Sequence, residues 1–253
     1  MISNSRPAPA ALTPKQRTGM TLGEFIIATG VVLLIGFVAA ALFLPSVRRA
    51  REPARRSQCK NNLKQIGLAL HNYHDKYQAF PPAFTVDADG RPLHSWRALI
   101  LPYMDKETLY NKIDLTKPWD DPANAEVFKA VVEAYRCPSE LGPATHTTYL
   151  AVVTSNSCLR LGESARLSDI KDGASKTLLV TEVDSEHAVH WMAPTDADES
   201  LFLANSPTSK VAHIGGVQAV LADGTVRFLN ASMPAEIRRA LISIDGNESV
   251  NEF

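Results

Sequence analysis

Residues 25–44 read FIIATGVVLLIGFVAAALFL, twenty consecutive positions without a charge. As an α-helix rising about 1.5 Å per residue they would span about 30 Å, the thickness of a bilayer's hydrocarbon core. A cleaved secretory signal has a shorter apolar region, about 7–15 residues, followed by a small-residue cleavage site. Here the run closes on Leu44-Pro45-Ser46 and a basic cluster. The pattern predicts a transmembrane anchor over 25–44, and it divides the chain into two unlike parts.

The 253 residues carry 26 Lys+Arg against 27 Asp+Glu, a formal charge of −1, with 45% hydrophobic and 21% charged residues. That balance excludes a disordered chain and a polytopic membrane protein. It also lacks the basic surplus of a dedicated nucleic-acid binder. The mean hides a split. Residues 1–60 hold nine basic groups against Glu24 and Glu52, a charge of +7, so residues 61–253 carry −8. The first 19 residues carry +3 and residues 48–60 carry +5. Taken alone, the positive-inside rule would leave the C-terminal part in the cytoplasm.

Immediately before the apolar run stands Thr18-Gly19-Met20-Thr21-Leu22-Gly23-Glu24-Phe25. A carboxylate at the mouth of a membrane helix is costly to insert, although near a helix N-terminus it also suits the dipole. The stretch resembles the type IV prepilin processing site: a short basic leader ending in Gly, an apolar first mature residue, and Glu at the fifth mature position. The resemblance implies that prepilin peptidase cleaves after Gly19, leaving Met20 as an N-methylated terminus. It assigns Glu24 to assembly, paired with the terminal amine of a neighbouring subunit, where low dielectric makes such a pair effective in setting register. Gly23 departs from the larger apolar residue usual there. Pilins are oriented leader-in and head-out, which answers the charge conflict.

Beyond Pro45 the apolar positions Leu63, Ile66, Gly67, Leu70, Tyr73 and Tyr77 recur every three or four residues, and Pro81-Pro82 supplies a stop. The spacing predicts one helix over about 21–77, kinked or interrupted at Pro45 and Pro53. Its basic stretch at 48–56 reads as a solvated surface near a membrane.

Arg55-Arg56-Ser57-Gln58-Cys59-Lys60-Asn61-Asn62-Leu63, continuing to His74, resembles a large bacterial prepilin-like family of unknown function. Further stretches resemble the same family: Ser95-Trp96-Arg97, Leu101-Pro102-Tyr103, Lys117 to Pro122, Arg136-Cys137-Pro138-Ser139, Ile170 to Thr177, and a terminal His213-X9-Asp223-Gly224 signature. Pro53 and Glu140 stand where the family has Ala and Asp. The resemblance covers nearly all of residues 18–229, and it implies an architecture more than an activity. The expected fold class is α+β and pilin-like, a long N-terminal helix, transmembrane in its first half, packed on an antiparallel β-sheet domain. Its divisions are a leader over 1–19, a helix over 20–77 and a globular domain over 78–253.

Within that domain, Thr177 to Val183 is rich in branched residues and predicts a strand. Val217 to Leu229 predicts a hairpin around Asp223-Gly224, read as a two-residue turn that sets Leu221 opposite Val226 and Ala219 opposite Phe228. Helices are predicted over Glu126–Tyr135 and Glu236–Ile242.

His213 with Asp223 and Gly224 has two readings: a cation or partner site, or a histidine hydrogen-bonded near a strand start with Gly215-Gly216 allowing the bend. One histidine and one turn aspartate are few donors for a metal, which favours the second. No His-Glu-x-x-His or Cys-x-x-Cys pattern occurs, so neither metal nor cofactor is expected. Cys59, Cys137 and Cys158 make an odd count; a Cys137–Cys158 disulfide and three free thiols both remain open. No nucleophile elbow, P-loop or dinucleotide fingerprint is present, and no enzyme is expected. The chain reads as a pilin-like or pseudopilin-like subunit of a type IV pilus or type II secretion-like pseudopilus. It would sit single-pass in the bacterial inner membrane with its head extracytoplasmic. Its partners would be prepilin peptidase, other pilin-like subunits and the lipid bilayer, with no nucleic acid. The alternative is a single-pass anchored extracytoplasmic binding protein that forms no filament.

Overall fold

The computed structural model describes residues 21–140, 142–162, 165–204 and 213–246, with 39–51 described as backbone only. The predicted leader and the processing positions Gly19 and Met20 lie outside the described residues. The chain divides into two compact units, Met1–Ala50 and Arg51–Phe253.

In the first unit, helix α1 (Leu22–Tyr77) begins on a reciprocal cap. Thr21 Oγ1 accepts from Glu24 N at 3.3 Å, and Glu24 Oε2 accepts from Thr21 N at 2.8 Å. This satisfies amides that a helix start otherwise leaves open. The side chains that follow, among them Phe25, Ile26, Leu33, Leu34 and Phe37, are exposed. The expected membrane-spanning helix is not found: among the described residues no helix is long and apolar enough to cross a membrane. The side chains of residues 39–44, the remainder of the predicted span, lie outside the described residues. What stands of the expected fold class is an α+β protein with antiparallel sheets.

The second unit contains the rest of α1, which continues uninterrupted through Pro53, where a kink or an interruption was expected. It ends as predicted before the double proline. Gln78 takes a left-handed φ of 59° and its N–H bonds back to His74 O, closing the last turn. There follow β1 (Phe84–Val86), β2 (Pro92–Ser95), α2 (Trp96–Leu99), α3 (Glu107–Tyr110), α4 (Ala125–Phe128), β3 (His146–Thr147), β4 (Tyr149–Leu150), β5 (Leu178–Glu182), β6 (Val189–His190), α5 (Glu199–Leu203), β7 (Gly216–Leu221), β8 (Val226–Asn230) and α6 (Ala235–Ile242). Strands β4-β5-β7-β8 make one antiparallel sheet, while β1-β2 and β3-β6 are separate pairs.

The two middle strands, β5 and β7, are buried at every residue, so both sheet faces are covered. On one face Val180, Val220, Ala222 and Val226 cluster with Cys59, Leu63, Ile66, Ala69 and Leu70 of α1. On the other, Leu178, Ala219, Leu221 and Leu229 cluster with Phe202 of α5 and Ala240, Leu241 and Ile242 of α6. The α1 stripe follows the helical period as predicted through Leu70 and the partly buried Tyr73, whereas Tyr77 is exposed. Gly67 permits the close approach, since a Cβ there would lie 3.0 Å from Val220 Cγ1.

Two details differ from the sequence expectation. The Glu126–Tyr135 helix is two short pieces, α4 and a 3-10 turn at Glu133–Tyr135. The β7–β8 hairpin is shifted by one residue: Val220 pairs with Val226, Ala219 with Arg227 and Gln218 with Phe228. Its loop has three residues rather than two. Leu221 N donates to Thr225 O, Gly224 N donates to Leu221 O, and Gly224 has φ 80°, the three-residue loop that ends on a left-handed glycine.

Candidate functional site

Four buried side chains from separate parts of the fold meet in the second unit: Cys59, Cys137, Glu182 and His213. Each offers one ligand atom, and these atoms all lie within 4.8 Å of one another.

Helix α1 delivers Cys59 on its sheet-facing stripe, four residues before Leu63. Cys137 follows the Glu133–Tyr135 turn and is held against α1 by Asn62 Nδ2, which donates to Arg136 O at 2.8 Å. Glu182 ends β5, and its Oε2 accepts from Gln218 N of β7 at 2.8 Å, which aims Oε1 at the cluster. His213 precedes β7. Gly215, at φ 88°, turns the chain into the strand, and a Cβ on Gly216 would lie 2.1 Å from Leu229 O. The bend expected at Gly215-Gly216 is therefore present.

His213 Nδ1 lies 2.9 Å from Glu52 Oε1 and its Nε2 lies 3.4 Å from Glu182 Oε1. The two sulfurs of Cys59 and Cys137 are 2.7 Å apart, and Cys137 Sγ is 4.0 Å from His213 Nε2. Among the described residues Glu182 Oε1 has no hydrogen bond, nor has the hydroxyl of buried Tyr149, which pairs with Glu182 across β4 and β5.

The electrostatics are those of a crowded, buried site. The neighbouring Cys59 thiol and then His213 hold Cys137 down at about 6 against burial. Hydrogen bonding to Cys137, reinforced by burial, pushes Cys59 up. Burial works against a charged His213, yet Cys137, Glu182 and Glu52 together raise it to about 10. Cys158 is buried elsewhere as a free thiol, pushed up to about 12 by burial. Cys137 thus neighbours Cys59 and not Cys158, the partner the sequence offered.

The residues singled out in the sequence fall in different places. Glu24 is exposed and is held below the ordinary carboxylate range by the Thr21 amide and then its hydroxyl. His213 and Asp223-Gly224 do not form one site; they stand at opposite ends of β7. Asp223 Oδ1 accepts from Thr225 N at 2.9 Å, while a Cβ on Gly224 would lie 3.2 Å from the His71 ring. The nine-residue spacing therefore brackets one strand, with each end set against α1. Cys59, Cys137 and Glu182 were not expected beside His213. No local spacing announces them, because Cys59 and Cys137 are 78 residues apart and Cys137 and His213 are 76 apart.

A second buried constellation is structural. Arg97 is fully buried; its Nη1 lies 2.7 Å from Asp196 Oδ1, and its Nη2 donates to Ala193 O and Thr195 O. Its own carbonyl accepts from Tyr135 Oη at 2.6 Å. These bonds tie α2 to the segment after β6.

Residues 48–158 match the family described as Protein of unknown function (DUF1559). That match contains Cys59, Arg97 and Cys137, whereas Glu182 and His213 lie beyond it. No curated protein and no solved structure matches the chain.

Proposed function

We propose that the protein is a non-catalytic subunit of a pilus- or pseudopilus-like assembly, freed from its leader by prepilin peptidase after Gly19 and joined to other copies through residues 22–38. The observation that carries this reading is the exposed apolar surface of that segment. Leu22, Phe25, Ile26, Ile27, Val31, Val32, Leu33, Leu34, Ile35, Phe37 and Val38 are all exposed. A helix apolar on every side is stable in an aqueous cell only when something covers it. The same segment of neighbouring copies is a cover of matching length and chemistry, and Gly30 and Gly36, with open space at their Cβ positions, leave room for close helix contacts. The prepilin-like sequence around Gly19 and Met20 supports the same reading. In the assembly, the Met20 amine of one copy competes with Thr21 for the Glu24 carboxylate of the next.

Processing is tested by the mass of the N-terminal peptide of the native protein. A methylated Met20 terminus is expected, and an intact leader would end the proposal. Glu24→Ala should be processed normally yet lose cysteine crosslinks introduced between residues 22–38 of adjacent copies. Unchanged crosslinking would favour an anchored binding protein that forms no filament.

A further inference from the structure

We propose that Cys59, Cys137, Glu182 and His213 form a closed structural zinc site that fastens helix α1 to the sheet, with Glu52 orienting the histidine. This inference is independent of the assembly reading above and rests on the second unit alone.

The donor set is two thiols, one imidazole and one carboxylate. Thiolate and imidazole select a borderline-soft ion of tetrahedral preference, and zinc is the divalent metal that best suits sulfur, nitrogen and oxygen together. Zinc–ligand bonds of about 2.0–2.3 Å place tetrahedral donor atoms roughly 3.3–3.8 Å apart. The observed atoms lie within 4.8 Å of one another, so modest side-chain rotation brings all four to one ion. The sulfurs, now 2.7 Å apart, would separate by about 1 Å to share it.

The surroundings are those a metal-binding histidine and carboxylate require. His213 Nδ1 faces Glu52 Oε1 at 2.9 Å, the carboxylate–histidine arrangement that fixes the tautomer and leaves Nε2 free to ligate. Glu182 is fixed through Oε2 by Gln218 N, while its other oxygen, buried, faces the cluster 3.4 Å from His213 Nε2. On binding, the ion displaces the thiol protons and any proton on Nε2, which pass to solvent. All four ligands come from the protein and all four are buried, so no position is left for water. That is the mark of a structural rather than a catalytic zinc.

The test uses the full chain, purified in detergent under reducing conditions and without chelator. Elemental analysis is expected to find one zinc per chain. Exchange for cobalt should give sulfur-to-metal charge-transfer bands and the strong visible bands of a tetrahedral thiolate site. Cys137→Ser should abolish those bands. Because that variant removes a buried side chain, Glu52→Gln provides a second arm: it keeps all four ligands and should weaken zinc binding about 10–100-fold against a chromophoric chelator. Cys158→Ser should leave stoichiometry and spectrum unchanged. The proposal is overturned if the reduced, folded chain binds no cobalt with thiolate bands, if Glu52→Gln binds as tightly as the parent, or if the native protein holds a Cys59–Cys137 disulfide in place of metal.

Discussion

Arg97 shows how much one side chain can hold in this fold. Its guanidinium is fully buried and satisfied by Asp196 and by the carbonyls of Trp191, Ala193 and Thr195. Burial nonetheless pushes the Asp196 carboxyl above its ordinary range, with Arg97 acting in the opposite direction. Replacing Arg97 with Met strands that carboxylate and the carbonyls, and is expected to cost about 3–5 kcal/mol in urea unfolding at neutral pH. The sign with pH follows from proton uptake. Once Arg97 is gone, the folded state holds Asp196 protonated at pH values where the unfolded chain has released that proton. Stability then falls as pH rises from the unfolded value, about 3.9, toward the raised folded one. The deficit of Arg97→Met should therefore shrink in mild acid, and Asp196→Asn in the same background should recover part of it. A deficit below about 1 kcal/mol at neutral pH would show the pair to be dispensable. Sequence pattern singled out Ser95-Trp96-Arg97 as a unit but not its buried partner Asp196, which lies 99 residues further on.

At the level of the element, the β7–β8 hairpin shows what is legible in sequence and what is not. Alternating apolar residues around Asp223-Gly224 announce the two strands and the turn between them. They do not fix register, because Asp-Gly serves a two-residue turn and equally the last two places of a three-residue loop. The shift matters because one residue of slip exchanges the faces of a strand. Here it sets Val226 beside Val220 on the α1 face rather than beside Leu221 on the α6 face, and the sequence gives no warning because both faces of β7 are apolar. The loop is decided by Gly224, which sits at φ 80° with His71 across from it. Gly224→Ala is expected to lower stability by about 1–2 kcal/mol for the left-handed backbone alone. Crowding against His71 adds to this, and a double-mutant cycle with His71→Ala separates the two parts. If His71→Ala removes the entire cost, the backbone conformation is not the constraint.

Over the whole second unit, the His213…Asp223-Gly224 spacing marks the two ends of a strand clamped to α1. Near one end Glu52 and Cys59 meet His213, and near the other Gly67 and His71 meet Val220 and Gly224. The strand between them, Gly216–Leu221, is about 20 Å long, and the rise from Cys59 to His71 covers about 18 Å of helix. The two contacts therefore match in spacing but differ in kind. The Gly67–Gly224 end is held by packing, which depends on nothing outside the chain, whereas the Cys59–His213 end gathers thiols, an imidazole and two carboxylates, the groups proposed to hold the ion. Hydrogen exchange measured with and without a zinc chelator distinguishes the ends. Removing metal is expected to speed amide exchange at 52–60, 137–140 and 213–217, with 66–71 and 220–226 changing little, because local opening follows the contacts that are lost. Uniform acceleration along α1 would mean that the clamp is cooperative over its whole length. Unchanged exchange at 52–60 would mean that Glu52 and Cys59 are held to the sheet by their apolar neighbours, and that the ion contributes nothing to the fastening.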